Sequence, residues 1–187
     1  SAKEKATVNE LTSDMQAQCI GRHLIDTPKG FNPMFKLWAS FMPANVRSES
    51  AAMIEPSIQG VGVTPEQFRK AVETRRTELA AGENILSKNS MLRDVRQVGE
   101  NQVMLRADES DLSEDAFRSE LHLLIEDAYV VIKEESYNNE YREAEQRILD
   151  FSKNISRART TDSTHKGFCI GPIVIAGDYS TEQAMFA

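Results

Sequence analysis

The sequence predicts an α+β fold: an antiparallel sheet with helices packed on one face. Three observations predict it. One helix is marked at both ends, between Thr64 and Gly82. Two pairs of β-rich segments, each joined by a short turn, follow in the next fifty or so residues. Strand and helix do not alternate in the regular way that a doubly wound parallel sheet needs.

The chain is taken in order. Val8, Leu11 and Met15 are spaced by three and four, which predicts an amphipathic helix from Ala2 to Ala17. Gln18-Cys19-Ile20-Gly21-Arg22-His23-Leu24-Ile25-Asp26 is short and mostly apolar and reads as a strand, closed by the turn signal at Asp26-Thr27-Pro28. Phe35, Leu37, Trp38 and Phe41 place a strand in Phe31 to Phe41. Ala44 to Gly62 has weak periodicity and reads as irregular, with Ile54 and Ile58 as anchors.

Thr64-Pro65-Glu66-Gln67 is the sharpest boundary. Thr64 suits the N-cap, Pro65 the first helical position and Gln67 the capping box. Phe68, Val72 and Leu79 form the buried stripe, Arg75 and Arg76 fall on the wet face, and Gly82 is the stop. Met91 to Arg106 reads as a hairpin turning at Gly99-Glu100-Asn101. Leu121, Leu123 and Ile125 alternate with Glu120, His122 and Leu124, so His122 is expected on the wetter face. After a Glu126-Asp127 turn, Tyr129-Val130-Val131-Ile132 supplies a second hairpin arm. Asn138 or Asn139 is expected to cap a last helix with the stripe Tyr141, Ala144, Ile148, Phe151 and Ile155. Arg157 and Arg159 would then complement its C-terminus.

Phe168-Cys169-Ile170-Gly171 repeats the Cys-Ile-Gly of residues 19–21. The organisation expected from this echo is an N-terminal α+β domain over 1–159, a polar linker over 160–167, and the start of a second, truncated α+β domain over 168–187. That tail is expected to be loosely attached or to find an unusual partner, with a second arm at Glu182 to Phe186. Equivalent positions in tandem domains are usually far apart, so free, buried thiols are expected at Cys19 and Cys169. If the tail instead adds its strand to the first domain, the two cysteines could meet.

Composition bounds function. The 187 residues suffice for one domain with a real core. A formal net charge of -7 disfavours nucleic acid as a partner. Mean hydropathy of -0.45, with no apolar run near the roughly twenty residues of a bilayer span, predicts no transmembrane segment. The catalytic set expected is none: there is no Gly-x-Ser-x-Gly, His-Glu-x-x-His or Walker loop, and Gly60-Val61-Gly62 lacks the third glycine of a nucleotide fingerprint. No cofactor and no metal site is expected, since two cysteines and three scattered histidines offer no ligand spacing. The enzyme alternative is a small thiol or hydrolytic enzyme, drawn around Cys19 and His23 or Glu120 and His122. A general adaptor or binding domain is a further alternative. The remaining feature is acidic. Asp108, Glu109, Asp111, Glu114 and Asp115 crowd one loop, and Glu134 and Glu135 end a strand; these are the candidate partner-binding residues, a charged rim that would steer a basic partner.

Cys19-Ile20-Gly21-Arg22-His23-Leu24-Ile25-Asp26, Thr64-Pro65-Glu66-Gln67-Phe68 with Arg75-Arg76 and Leu79, Tyr141-Arg142-Glu143-Ala144-Glu145, and Gly167-Phe168-Cys169-Ile170 occur in this order. On these motifs the chain resembles the immunity proteins that neutralise a lipase effector of the bacterial type VI secretion system. The resemblance covers most of the chain, and none of its motifs is catalytic. It implies two successive α+β domains, a periplasmic location, and a cognate lipase effector as partner. The effector would be held inactive by an interface that obstructs its active site or lid.

Overall fold

The computed structural model describes residues 4–5, 8, 12–28, 37–42, 53–158, 167–177 and 181–186. Its centre is the segment in which β-branched and aromatic residues alternate with polar ones. There, β4 (Glu55–Gly60), β5 (Leu92–Gly99), β6 (Gln102–Asp108), β7 (Ala116–Ile125) and β8 (Ala128–Tyr137) form one antiparallel sheet in the order β4-β8-β7-β6-β5. The β7–β8 pair runs in unbroken register from Ala116↔Tyr137 to Ile125↔Ala128. The α+β class with an antiparallel sheet is therefore what the chain adopts. Ala44 to Gly62 is not irregular throughout, however. Its end is β4, which the sequence hides because Pro56 and Gly60 dilute the pattern. Ile54 is an anchor, bridging to Phe41.

Each helix takes its own face of the sheet. Helix α1 (Pro65–Ala81) has the capping box expected of it: Thr64 Oγ1 accepts from the Gln67 N–H, and Gln67 Oε1 from the Thr64 N–H. It sets Phe68 and Val72 on Leu124, Tyr129 and Val131, and Leu79 on Leu105 and Ala107. Helix α2 (Tyr141–Ser152) lies on the opposite face, where Ile148 and Phe151 meet Leu121, Leu123, Val130 and Ile132. A 3-10 turn, Asn138–Glu140, leads into α2, and neither asparagine caps it through its side chain. Ile155 and Arg157 lie beyond α2, in the short strand β9 (Ile155–Arg157), and Arg157 pairs with Asp127 at 2.8 Å. Arg159 falls outside the described residues.

Four residues before Ser13 are helical (Glu4, Lys5, Val8 and Thr12), but the expected helix does not reach Ala17, because Met15–Ile20 is strand β1. It pairs with β2 (His23–Pro28), and Gly21 turns the hairpin at φ +60°. The second Cys-Ile-Gly builds the same object. β10 (Gly167–Ile170) and β11 (Ile173–Ala176) pair around Gly171 at φ +50°. Glycine at the first central residue is what such a two-residue turn requires. The two hairpins lie side by side, Gly21 exchanging both backbone hydrogen bonds with Cys169 at 3.1 and 2.7 Å. Cys19 and Cys169 are joined in a disulfide with their Cα atoms 5.7 Å apart. The expectation of free thiols is thus corrected: the copies are neighbouring hairpins, not distant equivalents.

Nor are residues 167–177 loosely attached. β11 pairs with β9, and Phe168, Ile170, Ile173 and Ile175 share one core with Phe41, Phe151 and Ile155. Phe41 packs edge-on against Phe168 with ring centroids 5.4 Å apart. β3 is Leu37–Met42, so the described part of the expected Phe31–Phe41 strand is extended; residues 29–36 lie outside the described set. The arm at Glu182 to Phe186 falls in β12 (Thr181–Phe186), which pairs with β3 rather than with the second hairpin. The linker over 160–166 lies outside the described residues.

Candidate functional site

The concave feature on the α1 face is a groove of about 810 Å³ beside the helix. It forms because the start of α1 packs over β7 and β8, whereas its end packs over β6. The strip of β8 and β4 next to the second half of the helix is left uncovered. Gln59, Lys70, Thr74, Arg75, His122 and Lys133 are among its lining residues.

The floor is a buried polar network. Glu120 is 1% exposed, and its carboxylate accepts from Arg75 Nη2 at 2.7 Å and Arg75 Nε at 3.0 Å. Arg118 Nε lies 3.2 Å from Oε1 on the other side. His122 is 2% exposed. Its Nε2 sits 3.3 Å from Glu120 Oε2, and its Nδ1 sits 2.6 Å from the Tyr129 hydroxyl. Burial would raise the Glu120 carboxyl, but hydrogen bonds from His122 and Arg75 outweigh it and hold the group well below the usual carboxylate range. Burial, reinforced by the nearby Glu120 charge, pushes the Tyr129 phenol up to about 12. The expectation that His122 faces water is corrected. Both faces of the sheet are covered, so the polar positions of β7 are interior too.

The acidic candidates divide. Asp108 is not in a solvated loop: it ends β6 fully buried, gripped by Arg93 at 2.6 and 2.7 Å and by Asn84 Nδ2 at 2.9 Å. Glu134 is equally buried, beneath α2, where Arg147 donates to Oε1. Burial raises its carboxyl to about 7 against the opposing pull of Arg147. Neither can belong to an exposed rim, because each is already desolvated and paired within the fold. Asp111, Glu114, Asp115 and Glu135 are exposed and Glu109 is half-buried. The loop acids and Glu135 lie at one end of the β7–β8 pair, where Ala116 faces Tyr137.

The enzyme alternatives do not assemble. Cys19 carries no thiolate, being oxidised, and His23 is exposed on the hairpin. Glu120 and His122 do touch, but their polar atoms are spent on Arg75 and Tyr129. Among the described residues, no group of metal-ligating side chains converges, and no helix is long and apolar enough to cross a membrane. The signal that sequence reading lacked was the partner: Arg75, on the wet face of α1, reaches Glu120 across 45 positions.

The fold is thus an antiparallel sheet with one helix on each face and a polar groove beside α1. The chain belongs to the family of the Tle cognate immunity protein 4 N-terminal domain, whose family model matches residues 16–166. No curated protein matches the sequence. Its fold is similar to the apo structure of the type VI secretion immunity protein TplEi from Pseudomonas aeruginosa, with a TM-score of 0.61 and 20% identity. That match covers 88% of this chain and 51% of the relative. It is also similar to a chain of the Tle4–Tli4 complex, with a TM-score of 0.61 and 19% identity, covering 89% of this chain and 51% of the other. A third likeness is to TplEi complexed with an "L" peptide, with a TM-score of 0.51 and 18% identity, covering 89% and 49%. The chain therefore spans about half the length of the solved relatives it matches.

Proposed function

We propose that this chain binds and inhibits a cognate type VI secretion lipase effector, protecting the producing cell by obstructing the effector's active site or lid. The observation that carries the reading is the family match over residues 16–166. A similar fold occurs in the Tle4–Tli4 complex, and this supports a protein–protein role. We place the chain in the periplasm: the Cys19–Cys169 disulfide persists in an oxidising compartment and not in the cytoplasm. Inhibition is by occupancy, so no residue of this chain performs chemistry. The exposed acids Asp111, Glu114, Asp115 and Glu135, with Glu109, act as a steering rim for basic surface on the effector. The family model ends at residue 166 and the relatives are about twice as long. Both facts support 1–159 as an N-terminal domain with a boundary over 160–167 and a second domain led into by 168 onward, although β10, β11 and β12 are here built into the first domain through β9 and β3.

Calorimetry and a lipase assay with the purified effector test the proposal. A complex on the order of nanomolar or tighter, with stoichiometric loss of lipase activity, is expected. No complex at micromolar concentrations would reject it. D111N/E114Q/D115N should slow association several-fold at low salt while leaving dissociation nearly unchanged.

A further inference from the structure

We propose that the groove between α1 and β8 is a docking slot for an acidic, extended segment of the protein partner; this rests on the reading above that the chain binds a protein.

The slot is built rather than incidental. Its floor is fixed before any partner arrives, because Glu120 and His122 are both more than nine-tenths buried and locked to Arg75 and Tyr129. A preorganised floor spares the ordering cost that a mobile surface pays on binding. The volume of about 810 Å³ lies in the range of sites that enclose a ligand, and it is open along its length.

The charge of the slot is opposite to that of the chain. The net charge is -7, yet the groove gathers Lys70, Arg75 and Lys133. Two acids face them, and both are engaged. Glu120 is held by Arg75 and Arg118, and Glu78 lies 3.5 Å from Arg75 Nη1. Lys70 is exposed and Lys133 half-buried; Lys133 stands opposite Glu120 across the β7–β8 pair, and its charge helps to hold that carboxyl low. The two ammonium groups, with Arg75, outnumber the two acids of the lining, and this excess of positive charge suits carboxylates. Ala71, Val131 and the Tyr129 ring add an apolar strip to the lining, which suits aliphatic side chains placed between those carboxylates. His122 and Tyr129 spend their polar atoms on each other and on Glu120, so recognition falls to Lys70 and Lys133, with Gln59 and Thr74 beside them.

The test uses the full chain, the purified effector, and an eight-residue peptide of alternating Glu and Leu with a Lys–Leu peptide as its counterpart. K70E and K70E/K133E are compared with wild type. K70E alters only an exposed helical position and keeps the test valid if the double variant fails to fold. The expected results are a tenfold or greater loss of effector affinity in K70E/K133E, and a several-fold loss in K70E. The Glu–Leu peptide should shift the amide resonances of α1 and β8 in wild type, and the Lys–Leu peptide should not. Effector binding that is equal in wild type and K70E overturns the slot while leaving the proposed function intact. Absence of effector binding by wild type rejects the function itself. Displacement of the Glu–Leu peptide by millimolar glutarate or inorganic phosphate alone would show a small-anion site and overturn the peptide assignment.

Discussion

Glu120 is the charge around which the α1 face is arranged, and its worth depends on the partner that balances it. Removing one member of a buried pair leaves the other desolvated and uncompensated. Arg75→Ala should therefore lower unfolding free energy by about 3 kcal/mol in urea titrations. Arg76→Ala serves as control: it removes only an exposed pair with Glu73 and should cost under ~0.5 kcal/mol. Glu134 has the opposite sign. Its folded carboxyl titrates near 7, above the unfolded value of 4.5, so the folded state holds the proton more tightly. Stability is then fully favoured below about pH 4.5 and falls as pH rises through 7. Between pH 5 and 8 the loss should be on the order of 1–3 kcal/mol. Glu134→Gln should flatten that slope, and a variant keeping the wild-type slope would assign it elsewhere. Glu120, held low, acts in a different window: its contribution is present above the usual carboxylate range and fades as pH falls below it. None of this was legible along the chain. Asp108, Glu134 and Glu120 look like surface residues in one dimension, while Arg93, Arg147 and Arg75 come to them from 13 to 45 positions away.

Elements were legible where local physics decides them. Helix α1 announces itself because the capping box, the proline at its first position and the apolar stripe agree. The β5–β6 and β7–β8 hairpins announce themselves through short turns between β-rich arms. Thr64→Ala should cost about 1 kcal/mol and release amide protection in the first turn of α1, measured by hydrogen exchange. Unchanged protection of Phe68 would show that packing on Tyr129, not the cap, sets the start of the helix. Elements stayed hidden where long-range pairing decides. The first half of β1 follows helical residues and reads as part of their helix, though its strand state comes from β2. β4 carries proline and glycine and exists because β8 pairs with it. The Cys-Ile-Gly echo was legible, but its meaning was not. Sequence shows that two turns are alike, and only the fold shows that the hairpins touch.

At the scale of the molecule, the disulfide spans 150 positions and ties the first hairpin to the last part of the core. Besides the Gly21–Cys169 backbone pair, Arg22 Nη2 donates to the Gly177 carbonyl at 2.9 Å. Met15, Leu24 and Ile25 remain exposed, so part of the hairpin's apolar surface adds nothing to its attachment. Cys169, by contrast, is fully buried among strands that share the main core. Reduction, or C19S/C169S, should therefore lower global stability by about 2–5 kcal/mol, since closing so long a loop restricts the unfolded chain. The loss should not be uniform. Amides of β1 and β2 should lose protection first and furthest, while β7 and β8 keep theirs up to the new global limit. The expected consequence is a first hairpin that is fixed only under oxidising conditions. Hydrogen exchange on oxidised and reduced protein, beside effector affinity in both states, reads this directly. Equal protection of residues 15–28 in the two states would show that the backbone pair holds the hairpin without the sulfurs, and the redox argument would fall.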